Sequence, residues 1–269
     1  MNSTKLILGK YHALKSLLEF VRFFDNWREI WSAYRRSATI PELRFRNDLV
    51  LFHGATDDPI LQFREIFVDR CYVSGGFYNP RPGDTVLDVG ANIGFFAHFL
   101  ASRCAATRIH SFEPGSEARQ LLLQNRETNH LEETITVHPV AIFDRTNGIQ
   151  LHRASNTAQR SVLANEFVDI SQDAEEVKTV TLDEAVKLSG VDRIALLKID
   201  AEGAEIEIVE GASQAVWPKI DRVVFEFHDH FRPGSRERVC RVLEANGFRR
   251  FRNIASPADA GFGVVQAGW

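Results

Sequence analysis

The chain has 269 residues, of which 44% are apolar and 25% are charged, so it can bury a large core and is not mainly disordered. Its three cysteines, Cys71, Cys104 and Cys240, lack the spacing of a disulfide framework or a zinc knuckle. The net charge of −4 excludes a strongly basic protein, and we expect no nucleic-acid partner.

The first 40 residues form a basic and aromatic segment, with seven Lys/Arg against three Asp/Glu. Apolar residues recur at helical spacing and Pro41 follows, which predicts an amphipathic helix. Two interpretations stay open: the helix packs on the main domain, or it contacts a membrane surface or a partner. No stretch reaches the roughly 20 apolar residues of a membrane span and no signal peptide is visible, so we predict a cytoplasmic protein.

The next elements alternate along the chain. We predict a short hairpin over 43–52, a helix over 60–72 and a loop over 75–83. Further strands are predicted at 85–89, 108–112, 135–140, 194–199 and 222–227, with a final pair near 248–253 and 261–267. Helices are predicted at 93–103, 116–129, 182–189, from Glu205 onward and at 235–245, whereas 144–180 shows no regular pattern. We divide the chain into an extension, 1–64, and a main domain, 65–269.

This alternation predicts an α/β fold with a mostly parallel sheet and helices on both faces. Strands 85–89 and 194–199 are almost wholly apolar, as expected where helices cover both faces of a sheet. Ligands of such sheets bind beyond the carboxyl ends of the strands. Polar or small residues stand at these ends, and they are the first candidates for a site: Asp88, Glu113, Ala141, Asp200 and the segment 226–230.

A glycine turn follows the first of these strands. The stretch from Asp88 to Gly94 reads D-x-G-x-x-x-G, which differs from the G-x-G-x-x-G of dinucleotide sites. Glu113 ends the next strand, where a carboxylate accepts both ribose hydroxyls, and Asp88 is expected to hold an ammonium group. This combination favours S-adenosylmethionine over a dinucleotide. The expected cofactor-binding residues are Asp88, Gly90, Asn92, Gly94, Glu113, Ala141 and Asp200.

Three acids follow the buried strand 194–199. Glu205 is also explained as a charge at a helix N-terminus, and Glu202 as a solvent-facing residue. Asp200 terminates an apolar strand at the ligand edge, which makes it the strongest candidate of the three for a chemical role.

Together these motifs resemble the FkbM family of S-adenosylmethionine-dependent methyltransferases. The resemblance rests on 82–94 with DVGANIG, 112–114 (FEP), 181–183 (TLD), 197–205 (LKIDAEGAE) and 226–228 (EFH). It implies the class I methyltransferase fold, a seven-stranded, mostly parallel sheet closed by an antiparallel hairpin. It also implies O-methylation, often of a sugar or a polyketide-derived product.

An alcohol is a poor nucleophile while it is protonated, so a base is expected beside the cofactor. Asp200 and His228 are the candidates, and the ordinary pKa of His228, near 6.5, suits this work. Alternatively His228 is a surface loop residue and Glu226 anchors a neighbouring element. A Mg²⁺ ion held by Asp200, Glu226, His228 and Asp229 is a further alternative, which we do not favour because the last parallel strand lacks a neat acidic pair.

The acceptor is expected to be a small hydroxylated molecule such as a sugar, a glycoside or a secondary metabolite. The polar segment 144–180 is the expected substrate lid, with Arg160, Glu202 and Tyr78 as candidate substrate contacts. A catalytically silent module that binds the cofactor, or a methyltransferase with a nitrogen acceptor, is the alternative. A dehydrogenase is disfavoured by the glycine spacing.

Overall fold

The computed structural model describes residues 3–152, 174–230, 232–254 and 261–269. Its N-terminal part contains helix α1 (Ser3–Phe23), helix α2 (Trp27–Arg35), strands β1 (Leu43–Arg44) and β2 (Val50–Leu51), and helix α3 (Pro59–Phe63). A π-helix, Arg64–Val68, continues α3. The predicted hairpin is confirmed, since β1 and β2 pair antiparallel.

The predicted N-terminal helix is two helices. The chain turns at Asn26, whose buried side chain donates to the carbonyl of Glu42 (2.8 Å) and accepts from the amide of Arg44 (3.1 Å). These bonds tie the junction of α1 and α2 to β1. The predicted helix 60–72 is shorter than expected and ends at Val68, just before Arg70 adopts a positive φ of 54°.

The main domain follows in chain order. Its strands are β3 (Thr85–Val89), β4 (Arg108–Phe112), β5 (Ile135–His138), β6 (Ala141–Ile142), β7 (Ile149–His152), β8 (Ala174–Val177), β9 (Thr179–Val180), β10 (Leu196–Ile199), β11 (Arg222–His228), β12 (Arg250–Ile254) and β13 (Phe262–Gly268). Its helices are α4 (Phe95–Arg103), α5 (Ser116–Thr128), α6 (Leu182–Leu188), α7 (Glu205–Glu210) and α8 (Ser235–Ala245), with a 3₁₀ turn at Trp217–Lys219.

Seven strands form the central sheet in the order β12-β13-β11-β10-β3-β4-β5. The five strands from β11 to β5 pair in parallel, whereas β13 is antiparallel to both β11 and β12. The predicted α/β fold, a seven-stranded and mostly parallel sheet closed by an antiparallel hairpin, is therefore confirmed. The carboxyl ends of the parallel strands all lie at one edge of the sheet.

The segment 144–180 contains more regular structure than its sequence suggested. Strands β7 and β8 pair as an antiparallel hairpin, and β9 pairs in parallel with β6. The expectation of an irregular segment is wrong for these residues, whose polar and apolar side chains alternate too briefly to give a clear strand pattern. Residues 153–173 lie outside the described part of the chain, and the candidate substrate contact Arg160 lies among them.

The N-terminal part packs against one face of the sheet. Phe20, Phe24 and Phe63 are fully buried and belong to the same apolar cluster as Val86 and Phe96. The inward face of α1 therefore has the packing role that was one of its two interpretations. The boundary at residue 64 stays a prediction.

The outward face of α1 carries Leu14 and Leu18, which are 56% and 61% exposed. Contact of this face with a membrane surface stays a prediction. None of the described helices is both long and apolar enough to cross a membrane.

Candidate active site at the carboxyl ends of the strands

A cleft of about 600 Å³ opens at the carboxyl ends of β3, β4, β10 and β11. This volume lies within the range of sites that hold small molecules and cofactors. Most of the predicted site residues line it: Gly90, Asn92, Glu113, Ala141, Asp200, Glu202, Glu226 and His228. Parallel pairing explains this, because it brings the ends of separate strands to the same edge.

The glycine turn brings the end of β3 against the end of β10. Gly90 has a φ of +70°, and a Cβ atom at this position would overlap the backbone carbonyl oxygen of Asp200. The amides of Gly90 and Ala91 both donate to the carbonyl of Phe112, at 3.1 Å. Only glycine allows this close approach of two backbones.

Glu113 is held by the backbone around it. Its Oε2 accepts from the amide of Asn92 and its Oε1 accepts from the amide of Gly115, both at 2.8 Å. These two bonds fix the orientation of the carboxylate at the cleft. The arrangement suits a pair of vicinal hydroxyl groups.

Asp88 lies beneath the floor of the cleft and is fully buried. Its Oδ1 is 3.2 Å from Nζ of Lys198, which is also 3.3 Å from Oδ2 of Asp200 and donates to the carbonyl of Gly90 at 2.8 Å. The ammonium group that Asp88 holds in the structure is therefore that of Lys198, and not that of a ligand as its position before the turn suggested.

Lys198 was not among the predicted site residues. Burial alone lowers the pKa of its ammonium group, but the carboxylates of Asp88 and Asp200 outweigh this effect and raise the pKa above its ordinary value. Burial raises the pKa of Asp88, and Lys198 opposes that shift. The available signal was a lysine within an otherwise apolar strand, since an unpaired charge is rarely buried.

Tyr72 connects two carboxyl groups in the cleft. Its buried hydroxyl oxygen lies 3.0 Å from Oδ2 of Asp200 and 3.1 Å from Oε2 of Glu226. One hydroxyl proton cannot serve two carboxylates, so one of the carboxyl groups carries a proton of its own. Burial and the charge of Asp200 raise the pKa of Glu226 well above its usual range, which favours the protonated form of Glu226.

His228 is buried between two carboxylates. Its Nε2 is 3.4 Å from Oε2 of Glu202 and its Nδ1 is 3.3 Å from Oε1 of Glu205. Burial lowers the pKa of His228, but the surrounding carboxylates outweigh burial and raise the pKa to about 10. This corrects two expectations, because His228 is neither a surface loop residue nor a group with a pKa near 6.5 that is ready to accept a proton.

The turn after β10 is held by hydrogen bonds to a side chain of the helix that follows it, Glu205. Oε1 of the fully buried Glu205 accepts from the amides of Ala201 and Gly203, both at 3.1 Å. Glu202, between them, has a positive φ of 48°, and burial raises its pKa to about 8. Glu205 thus holds the strained turn that points Glu202 toward His228.

The four alternative metal ligands do not come together as one set. Asp229 instead accepts from the hydroxyl of Ser235 (2.8 Å) and the amide of Arg236 (3.1 Å), in the first turn of α8. Within the described ranges, one group offers ligand atoms within 4.8 Å of one another: Asp200, Glu202 and His228. Both ring nitrogens of His228 already face carboxylates, so this group is a poor fit for a metal ion.

Two other predicted residues lie outside the cleft lining. Tyr78 donates to Oδ2 of Asp84 at 3.0 Å, before β3 and therefore at the opposite edge of the sheet. Its expected substrate contact is wrong for this reason. Gly94, with a φ of +89°, precedes α4, where a Cβ atom would come within 3.1 Å of the side chains of His98 and Leu122. The structure gives Gly94 a packing role.

The protonation of His228 predicts a pH-dependent stability. The pKa is near 6.5 in the unfolded chain and about 10 in the folded chain, so the stabilisation is complete below pH 6.5 and is lost as the pH rises to 10. We expect this group to lower the free energy of unfolding over that range by up to about 1.4 kcal/mol per pH unit. Urea unfolding of wild type and His228→Gln at pH 6.5 and pH 10 measures this. A difference between the two proteins that stays constant across that range would contradict the assignment.

Comparison with known proteins finds a matching family model and similar proteins. Residues 88–250 match the family model described as the methyltransferase FkbM domain. The chain is 29% identical over 237 residues to the 31-O-demethyl-FK506 methyltransferase FkbM of Streptomyces tacrolimicus, covering 79% of this chain and 90% of the relative. It is 24% identical over 147 residues to the hexuronic acid methyltransferase AglP of Haloferax volcanii, covering 54% and 56%.

A solved structure shows the same fold. The N-terminal domain of human METTL16, in complex with SAH, matches with a TM-score of 0.51 and 12% sequence identity, covering 82% of this chain and 75% of that one. At this identity the likeness concerns the fold alone.

Proposed function

Because this chain belongs to the FkbM family of methyltransferases, we propose that it transfers a methyl group from S-adenosylmethionine to a hydroxyl group of a small molecule. The family match supports the cofactor and the reaction type. One observation carries the choice of a hydroxyl acceptor: a carboxylate, Asp200, stands in the cleft with one oxygen held by Tyr72 and Lys198.

The residues present fit the proposed cofactor. Glu113, fixed by two backbone amides, would accept from the ribose hydroxyls, and the Gly90 turn gives a backbone surface with no Cβ atom in the way. The cofactor supplies a methyl group on a sulfonium, which is already a good leaving group. The work left to this chain is therefore alignment of the acceptor and removal of its proton.

Asp200 is the proposed base. Tyr72 and Lys198 both contact its Oδ2, which fixes the plane of the carboxylate and leaves Oδ1 to accept the proton of the acceptor hydroxyl. Nζ of Lys198 lies 3.2 Å from Asp88 and 3.3 Å from Asp200, so one cation faces both carboxylates. Because both ring nitrogens of His228 face carboxylates, we assign it a positioning role that holds Glu202 at the cleft.

The proposed acceptor is a sugar, a glycoside or a secondary metabolite. The names of the two relatives support this class, since one acts on a demethylated FK506 and the other on a hexuronic acid. Incubation with S-adenosylmethionine and a panel of such acceptors, followed by mass spectrometry, tests the proposal. We expect a product that carries one methyl group on oxygen. A product methylated on nitrogen, or a protein that does not bind S-adenosylmethionine, would refute it.

Loss of Glu113 should remove the main polar contact with the cofactor. We expect Glu113→Ala to weaken S-adenosylmethionine binding at least about tenfold, equivalent to about 1.4 kcal/mol. Calorimetric titration measures the affinity, with the exposed Glu132→Ala as the matched control. Unchanged affinity in Glu113→Ala, with normal folding, would contradict the role of this residue.

We propose that the transfer needs no metal ion, because the group formed by Asp200, Glu202 and His228 has its imidazole engaged by carboxylates. Treatment with EDTA should then leave turnover unchanged. The measurement is initial rate before and after chelation, with Mg²⁺ added back. A loss of turnover that Mg²⁺ restores would overturn this proposal.

A further inference from the structure

Three arginines surround a gap at the edge of the sheet opposite the active-site cleft. Arg222 begins β11 and pairs in register with Gly268 of β13, which pairs in turn with Arg250 of β12. Residues paired directly across strands point to the same face, and Arg252, two positions beyond Arg250, shares that face. We call this group, Arg222, Arg250 and Arg252 around Gly268, the arginine notch.

The notch is open. A Cβ atom at Gly268 would have no neighbour within 4 Å, so the strand between Arg222 and Arg250 places nothing there. The notch belongs to a cavity of about 780 Å³, which the loop at Gly75 and Gly76 also lines. Gly75 has a φ of +65° and lacks the Cβ atom that would overlap the guanidinium of Arg252, so the loop leaves room for that group.

The arginines of the notch have no ion-pair partner among the described side chains. Arg193, at the rim of the cavity, pairs with Asp221 through bonds of 2.8 and 3.0 Å. In the part of the chain that the structure describes, no acidic side chain forms an ion pair with an arginine of the notch. Strand spacing places Arg222 and Arg250 about 10 Å apart at the backbone, so two or three guanidinium groups can reach one ligand.

An edge strand often carries positive charge to prevent pairing with other chains. That explanation covers Arg250 and Arg252, because β12 is at the edge of the sheet. It does not cover Arg222, which lies on an inner strand, or the open space at Gly268. A bound anion accounts for all of these features.

We propose that the arginine notch binds a phosphate-type oxyanion, such as a phosphate or diphosphate group of a small molecule. Guanidinium groups offer paired N–H donors that match the oxygens of phosphate, and several of them suit its double negative charge. The seven residues of β11 separate this site from the active-site cleft by about 20 Å. The notch is therefore a second site, and it does not depend on the proposed methyl transfer.

Calorimetric titration of the full chain with inorganic pyrophosphate tests the proposal. We expect wild type to bind and the double variant Arg250→Gln/Arg252→Gln to bind at least tenfold more weakly. The matched control is Arg241→Gln, an exposed arginine of α8 that lies outside the cavity. Gly268→Val is a second, independent variant, because it keeps all three charges but fills the gap, and it should also weaken binding.

Three results would overturn the proposal: no binding of pyrophosphate to wild type, equal binding to wild type and the double variant, or equal loss in Arg241→Gln. Binding of a single-stranded oligonucleotide without binding of pyrophosphate would also overturn it, since the surface would then recognise a polymer through its overall charge. Thermal melting of each variant confirms that the comparison is made between folded proteins.

Discussion

Asp200→Asn should lower kcat by about 10³-fold, within the range that general bases contribute. Asparagine keeps the shape of the side chain and an oxygen that accepts from Tyr72, but its amide has no charge and takes up no proton. The affinity for S-adenosylmethionine, measured by calorimetry, should change far less than kcat. Turnover near the wild-type rate would remove Asp200 from the mechanism.

Tyr72→Phe is the matched variant for this test. It keeps the ring, which packs edge-on against Phe96 at 5.2 Å, and removes only the hydroxyl between Asp200 and Glu226. We expect a smaller loss in kcat, about tenfold, because Asp200 loses one of the two groups that hold Oδ2. If kcat were unchanged in Tyr72→Phe while Asp200→Asn was inactive, Asp200 would remain the proposed base and Tyr72 would have no part in positioning it.

Local signals predicted much of the fold from the sequence. Strands β3 and β4 and helix α8 have the predicted bounds, because each has a clear apolar pattern and ends at a turn residue. The position of Glu113 and Asp200 at the cleft was predicted in the same way, since the strand ends of a parallel sheet share an edge. These predictions needed only the order of elements along the chain.

The contacts between distant residues could not be predicted in this way. Tyr72 lies in a segment without a motif, and its place beside Asp200, 128 positions later, follows from packing against Phe96. The pKa of His228 depends on carboxylates from two segments, the turn after β10 with the start of α7, and strand β11 itself. The spacing of residues along the sequence does not predict such an arrangement, because pKa shifts depend on burial and on distances in space.

The second large effect that we expect is on the stability of the fold, and it concerns Lys198. Lys198→Met keeps a long, flexible side chain but removes the cation that faces Asp88 and Asp200. Removal of one partner of a buried ion pair costs about 3–5 kcal/mol, because the other charge stays buried without compensation. We expect a loss of this size in the free energy of unfolding, measured by urea denaturation.

The double variant Asp88→Asn/Lys198→Met separates the ion pair from general packing. It removes the uncompensated carboxylate, so it should regain part of the stability that Lys198→Met loses. The Gly90 carbonyl lacks its donor in both variants, so we expect both to bind the cofactor more weakly than wild type, even where stability returns. If the double variant were less stable than Lys198→Met, the charge on Asp88 would not be the cause of the loss, and Lys198 would stabilise the turn through packing alone.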